Sequence, residues 1–286
     1  MNLEEKFRKL NYRLSELGSV IVAYSGGVDS AYLAYAAHAV LGSRMIAVTA
    51  DSASMARSEL AGASSFAHEY GIPWRAVRTH EIENEEYARN GADRCFHCKN
   101  ELFQVLEKEL ERGGFQALAY GLNADDQRDF RPGHKAAALH RVAAPMAEAA
   151  LTKQDVRELA RRANLGVWDK PASACLASRL EYGRRVTPEA LGMVERAEEM
   201  LRNLGLRQFR VRHHGTIARI EIAVGEMGEA VSISQLRAMA SAVKSAGYRY
   251  VTLDCEGYRS GSMNEVLSAD VLAKFQPSYG EVLEKS

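Results

Sequence analysis

Residues 20–35 read VIVAYSGGVDSAYLAY: an apolar run, two glycines set among serines, then apolar residues at a different spacing. Val20, Ile21, Val22, Ala23 and Tyr24 suit a short strand buried on both faces of a parallel sheet. After Ser30 the apolar residues Ala31, Leu33, Ala34, Ala37 and Val40 recur at helical spacing, so residues 25–30 lie at a strand-to-helix junction. At such a junction the first helical turn leaves N–H groups unpaired, the helix dipole favours negative charge, and glycine lets the backbone approach an anion closely. The stretch therefore reads as a phosphate cradle made by Ser25, Gly26, Gly27 and Ser30, with Asp29 free for Mg²⁺. It is not a Walker loop, because no lysine follows the second glycine and the G-x-x-x-x-G-K-[ST] spacing is missing.

Outward from this junction, strand-like apolar runs recur at 45–49, 74–77 and 117–120 with helical patterns between them, the alternation expected of an α/β, doubly wound parallel sheet. Ligands of such sheets bind beyond the carboxyl ends of the strands, and these ends run into YSGGVDS, TADSAS and YGLNADD, so they are expected to converge on one site. Thr-Lys-Gln-Asp at 152–155 has the spacing of a capping box and predicts a helix start. The character changes near residue 186. Thr187-Pro188-Glu189 predicts a helix to about Leu204, followed by strand-like runs at 209–213, 217–224 and 248–253 and a helix from about Ser234 to Ser245. The expected division is a domain of residues 1–185 and a smaller C-terminal α+β domain of residues 186–286.

With 286 residues the chain can bury a full core, and 37 basic against 37 acidic residues give no net charge for a generic grip on nucleic acid. No apolar stretch approaches the roughly 20 residues of a membrane span, and the charged start MNLEEKFRKL does not read as a signal peptide. A cytosolic protein without membrane or nucleic-acid partners is expected. In that setting four cysteines point to ligands, catalytic groups or buried thiols rather than disulfides.

Three of those cysteines stand in chemically suggestive surroundings. DRCFHCKNELF, residues 93–103, holds Cys95 and Cys98 in a C-x-x-C, which lets both thiolates reach one metal, one cluster or each other; His97 between them is a polar neighbour or a further ligand. WDKPASACLASRLEYGRR, residues 168–185, places Cys175 among Lys170, Arg179, Arg184 and Arg185, cations of the kind that enrich the thiolate. Cys255, in the run YVTLDC, reads as a strand cysteine, and Met55 as core packing or a contact for adenine.

Ser-Gly-Gly-Val-Asp-Ser at a strand-to-helix turn resembles the PP-loop of the ATP pyrophosphatases, whose fold is adenine nucleotide α hydrolase-like and which cleave ATP between its α- and β-phosphates. More of the chain is similar to one family within that group. YSGGVDS, DRCFHCKNELF, GLNADDQRDFRPG, LTKQDVRELAR, WDKPASACLASRLEYG, RVRHHGTIARIE and YVTLDCEGYRSGSMNE, in order from residue 24 to residue 265, resemble segments of the LarE family of ATP-dependent sulfur transferases. The resemblance implies adenylation of the two carboxylates of pyridinium-3,5-biscarboxylic acid mononucleotide and their conversion to thiocarboxylates, a step toward the nickel-pincer cofactor of lactate racemase.

Members with a single cysteine at the position of Cys175 give up that sulfur and keep dehydroalanine. This chain also has Cys95 and Cys98 and resembles the subgroup in which three cysteines hold a [4Fe-4S] cluster, so the implied metal ligands are Cys95, Cys98 and Cys175, with sulfide supplied from outside. The resemblance further assigns Asp29, Lys99 and Cys175 to catalysis, Lys99 and Arg212 to phosphate or carboxylate charge, and Asn123, Asp125, Asp126 and Asp129 to Mg²⁺ or adenylate. Arg259, Ser260 and Ser262 offer a loop for a nucleotide phosphate, and relatives form homo-oligomers, including hexamers. A tRNA thiolase with a three-cysteine cluster is the rival reading, disfavoured by the neutral charge; a nucleotide sensor would leave the thiols without a task.

Overall fold

A computed structural model describes residues 1–126, 132–171, 174–259, 262, 263 and 267. Along the chain run α1 (Leu3–Glu16), β1 (Val20–Ala23), α2 (Val28–Leu41), β2 (Met45–Asp51), α3 (Arg57–Glu69), β3 (Trp74–Arg78), α4 (Glu85–Ala88), α5 (Arg94–Gly113), β4 (Ala117–Tyr120), α6 (Gly133–Leu139), α7 (Pro145–Glu148), α8 (Lys153–Arg162), α9 (Pro188–Asn203), β5 (Phe209–His214), β6 (Ile217–Ile222), α10 (Val224–Ala230), α11 (Ile233–Ser245) and β7 (Tyr250–Leu253). No helix among the described residues is long and apolar enough to cross a membrane. The described residues within Met1–Glu81 and Cys95–Ser173 form one compact unit, and those within Ile82–Arg94 and Ala174–Ser268 a second.

The first unit is the expected doubly wound α/β layer structure. Its four strands are all parallel in the order β3-β2-β1-β4. Because side chains alternate along a strand, Val20 and Val22 bury on one face with α1, α2 and α8 residues such as Leu14, Leu33 and Leu159, while Ile21 buries on the other with Phe103 and Leu106 of α5. A sheet covered on both faces explains why the strands read as unbroken apolar runs. The chain winds β1-β2-β3 in one direction and then returns to place β4 on the free side of β1. The strand order thus reverses between β1 and β4, and the crevice beyond their carboxyl ends is where such sheets take ligands.

In the second unit β5 and β6 form an antiparallel hairpin, and β7 pairs parallel to β6, a connection that needs the crossover supplied by α10 and α11. Ala197 and Leu201 of α9, Met239 and Val243 of α11, and Phe209, Val211, Ala218, Ile220 and Ile222 of the strands share its core. The segment before α5 belongs here through Asn90, fully buried at φ +59°, whose Nδ2 donates to Glu181 O at 2.8 Å. Val186 N donates to Ala88 O at 2.8 Å beside it.

Two local expectations are corrected. The run 217–224 ends as a strand at Ile222, since Val224 opens α10 and is 70% exposed. Cys255 is not a strand cysteine: β7 stops at Leu253, and Cys255 is exposed in the turn that follows.

Candidate active site

The turn after β1 has the form that a phosphate needs. Gly26 takes φ +75° and lies so close to α3 that a Cβ there would stand 3.1 Å from Ala63 Cβ, which glycine alone avoids. Gly27 is the N-cap of α2 and offers no side chain to the helix end. Among the described residues, the N–H groups of Gly27, Val28 and Asp29 find no protein acceptor. Ser25 N donates to Ser30 Oγ at 3.1 Å, the two hydroxyls lie 3.1 Å apart, and Ser30 Oγ donates to Gly27 O at 3.1 Å. The predicted serines, glycines and Asp29 are therefore one closed turn with its amides turned outward.

The end of β4 supplies the opposite wall. At Gly121 a Cβ would fall 2.8 Å from Ser30 N, so glycine permits the close approach of this chain to the start of α2. Asn123, 1% exposed, donates through Nδ2 to Asp29 Oδ1 at 3.2 Å and to Asp126 Oδ2 at 3.0 Å, while its Oδ1 accepts from Asp125 N and Asp126 N, both at 3.0 Å. The structure thus brings Asp29, Asn123 and Asp126 together. Asp129 lies outside the described residues.

Two lysines complete this wall, one in an unforeseen role and one unforeseen altogether. Lys153, first residue of α8, contacts Asp29 Oδ2 through its ammonium, and its N–H donates to Asp125 Oδ2 at 2.8 Å. Lys170 was read as a neighbour of Cys175; its Nζ instead donates to Gly26 O at 3.1 Å and to Glu59 Oε2 at 2.6 Å. The capping box at 152–155 was a visible signal for the helix but not for the reach of Lys153 back to the turn. Lys99, in α5, lies over the Tyr120 ring with Nζ 5.1 Å from its centroid, at the carboxyl end of β4. Met55 is half-buried in the turn after β2.

None of the four cysteines, all among the described residues, is in a disulfide. Cys95 and Cys98 occupy the first turns of α5, three residues apart and hence on one helix face, Cys95 exposed and Cys98 half-buried. His97 stacks edge-on against Phe96, ring centroids 5.3 Å apart.

In the second unit Cys175 is exposed at the N-cap of the short 3₁₀ turn Leu176–Arg179. Its carbonyl accepts from Ser178 Oγ at 2.7 Å, Ser178 N at 3.0 Å and Arg179 Nη1 at 3.0 Å, which fixes the backbone and leaves the thiol accessible. The cations expected to act on that thiol are engaged elsewhere: Arg179 pairs with Glu198 at 2.9 Å, Arg184 with Glu181 at 2.5 Å and Arg185 with Glu85 at 2.5 Å.

Arg212, 5% exposed, donates to Glu221 Oε2 at 2.7 Å, Ser178 O at 3.2 Å and Ser262 Oγ at 3.1 Å, and its buried Nε has no partner among the described residues. Arg210 stacks on Tyr258 at 4.9 Å; burial, and then the charges of Arg179 and Arg212, hold its guanidinium below the usual arginine range. Glu198, outside every motif, and Glu221, last residue of RVRHHGTIARIE, carry the compensating charge; Glu221 between Ile220 and Ile222, a carboxylate in an apolar strand, was the readable sign. Arg259 pairs with Glu256 at 2.5 Å, and Ser260 lies outside the described residues.

No protein-family model matches the chain. It is 41% identical over 266 residues to an uncharacterized protein of Synechocystis, spanning 93% of this chain and 99% of that one. An uncharacterized protein of Methanocaldococcus jannaschii is 29% identical over 259 residues, 91% of this chain and 95% of its own. Pyridinium-3,5-bisthiocarboxylic acid mononucleotide synthase of Lactiplantibacillus plantarum is 35% identical over 263 residues, 92% of this chain and 95% of the synthase. A likeness of that degree over nearly the whole of both chains makes this chain a member of the LarE family.

Proposed function

We propose that the protein is an ATP-dependent, AMP- and pyrophosphate-forming sulfur transferase that converts the carboxylates of pyridinium-3,5-biscarboxylic acid mononucleotide to thiocarboxylates. One observation carries the reading most: the outward amides of residues 27–29 at the switch point between β1 and β4, a cradle for the β- and γ-phosphates of ATP. With the pyrophosphate held there, a substrate carboxylate oxygen attacks the α-phosphorus in line. The bond to the β-phosphate breaks, pyrophosphate leaves with the electron pair, and an acyl adenylate remains. Asp29 and Asp126, oriented by Asn123, suit a bound Mg²⁺, which would neutralise charge on the leaving phosphates. Lys153 beside Asp29 and Lys99 over Tyr120 bring positive charge to the developing anion. Sulfur then attacks the activated carbonyl carbon and AMP departs.

For the mononucleotide's own phosphate the family resemblance points to the charge of Arg212 in the second unit. For sulfur, the family resemblance makes Cys95, Cys98 and Cys175 the thiolate ligands of a [4Fe-4S] cluster, which when bound would supply sulfide. A second reading keeps the same adenylation and takes the sulfur from Cys175 itself, favoured by the exposure of that thiol on a fixed backbone.

Asp29→Ala tests the adenylation step. Its pyrophosphate release with MgATP and the biscarboxylate is expected to fall by at least about a hundredfold, the scale of losing an electrostatic contact made in the transition state, with an unchanged far-ultraviolet spectrum. Release at the normal rate would remove the cradle from the mechanism.

A further inference from the structure

We infer that Lys170 is a positioning residue that sets the polarity of the phosphate cradle by holding the Gly26 carbonyl away from the anion. The inference rests on the reading of residues 25–30 as a pyrophosphate site and adds a part that neither the motif nor the family resemblance supplies.

A trans peptide is planar, so its C=O and its N–H point in opposite directions. The Gly26–Gly27 peptide lies between two glycines, and Gly26 at φ +75° sits in a region that glycine enters and leaves freely. Nothing in the residue types of that turn prevents the unit from rotating. A rotated peptide would present the Gly26 oxygen, partially negative, to the incoming phosphate and turn the Gly27 N–H away.

The structure removes that freedom with one ammonium group. Lys170 Nζ donates to Gly26 O at 3.1 Å and to Glu59 Oε2 at 2.6 Å, so the carbonyl is anchored toward α3. Ser30 N, the helical donor that would otherwise meet Gly26 O four residues back, does not bond to it. Lys170 is itself held: Arg157 of α8 donates to Lys170 O at 2.8 Å and to Trp168 O at 2.8 Å, and Lys170 N donates to Val167 O at 3.1 Å. The lysine side chain and Glu59 are each 25% exposed, a pair sheltered enough to keep its geometry. With the oxygen fixed there, the Gly27 N–H, which has no acceptor among the described residues, is left facing the other way together with those of Val28 and Asp29. An electrostatic consequence follows too. Glu59 neutralises Lys170, so the lysine acts by orienting a dipole rather than by adding net charge to the cradle.

The test measures binding of magnesium pyrophosphate by titration calorimetry to the full-length wild-type protein, Lys170→Met and Lys170→Arg, with thermal unfolding recorded for each. The expected result is a dissociation constant raised about tenfold or more in Lys170→Met, the scale of one charge-assisted hydrogen bond. The melting midpoint should stay near that of the wild type, and Lys170→Arg, which can still donate to a carbonyl, should recover most of the affinity. Wild-type affinity in Lys170→Met would overturn the inference while leaving the cradle standing. A loss accompanied by a collapsed melting transition and not restored by arginine would also overturn it, since the residue would then only support the fold. If the wild type binds no pyrophosphate, the reading of the cradle falls and this inference with it.

Discussion

Arg179 and Glu198 meet at 2.9 and 3.2 Å with each side chain only 3% exposed, so neither charge can turn to water if its partner is lost. Removing one member of such a pair typically costs about 3–5 kcal/mol, whereas replacing both by apolar groups of similar size is often neutral. Glu198→Leu is therefore expected to lower unfolding stability by about that amount in urea titrations, and the double change Arg179→Met with Glu198→Leu to recover most of it. A single change costing under about 1 kcal/mol would place it in the range of exposed pairs and contradict the burial argument. At this scale the sequence showed the chemistry better than the pairings. Asp29, the serines and the glycines were readable because a phosphate cradle needs those residue types in that order. Lys153 and Lys170 were not, because each acts across a long separation, 124 residues from Lys153 to Asp29 and 144 from Lys170 to Gly26, and local pattern carries no trace of that.

Among the elements, α8 carries a capping arrangement that also ties it to α1. Thr152 Oγ1 accepts from Asp155 N at 3.1 Å, Asp155 Oδ2 accepts from Thr152 N at 2.9 Å, and Lys6 of α1 donates to the same carboxylate at 2.6 Å. Burial alone would raise the Asp155 carboxyl, but the bonds from Lys6 and Thr152 outweigh it and hold the group below the usual aspartate range. A carboxyl depressed in the folded state contributes stability that is present above its unfolded value of about 3.9 and is lost as pH falls through the folded one. The stability advantage of the wild type over Asp155→Asn should hold at neutral pH and shrink as pH drops below about 4; an advantage independent of pH would refute the assignment. The Thr152 start, the four parallel strands and α9 were legible since caps and apolar runs are local signals. The short α10 was not: a strand-like run simply continued across Ile222 into its first residue, and only the Glu226 carboxylate, accepting from Arg207 N at 2.9 Å and Gln208 N at 3.0 Å, marks the change.

For the whole molecule, the strands of the first unit were legible as apolar runs, while the mixed sheet and the buried arginines of the second were not. Segment 82–94 enters that second unit through bonds such as Asn90 to Glu181, 91 residues apart, which no periodicity announces. In the proposed function, sulfur delivery is the step on which the three cysteines bear. Protein reconstituted without oxygen is expected to hold iron and labile sulfide, Cys95→Ser to lose both, and Cys255→Ser, altered only in an exposed turn, to keep them; a cluster retained in Cys95→Ser would reject the ligand assignment. The most direct measurement is mass spectrometry of small molecules and intact protein after anaerobic reaction of the reconstituted protein with MgATP, sulfide and pyridinium-3,5-biscarboxylic acid mononucleotide. The account predicts a product in which sulfur has replaced carboxylate oxygen, one AMP and one pyrophosphate for each sulfur, and a chain of unchanged mass after repeated turnover. A chain lighter by the mass of hydrogen sulfide, with one sulfur delivered per protein, would contradict the cluster route in favour of Cys175, and an unaltered mononucleotide with no pyrophosphate would contradict the function itself.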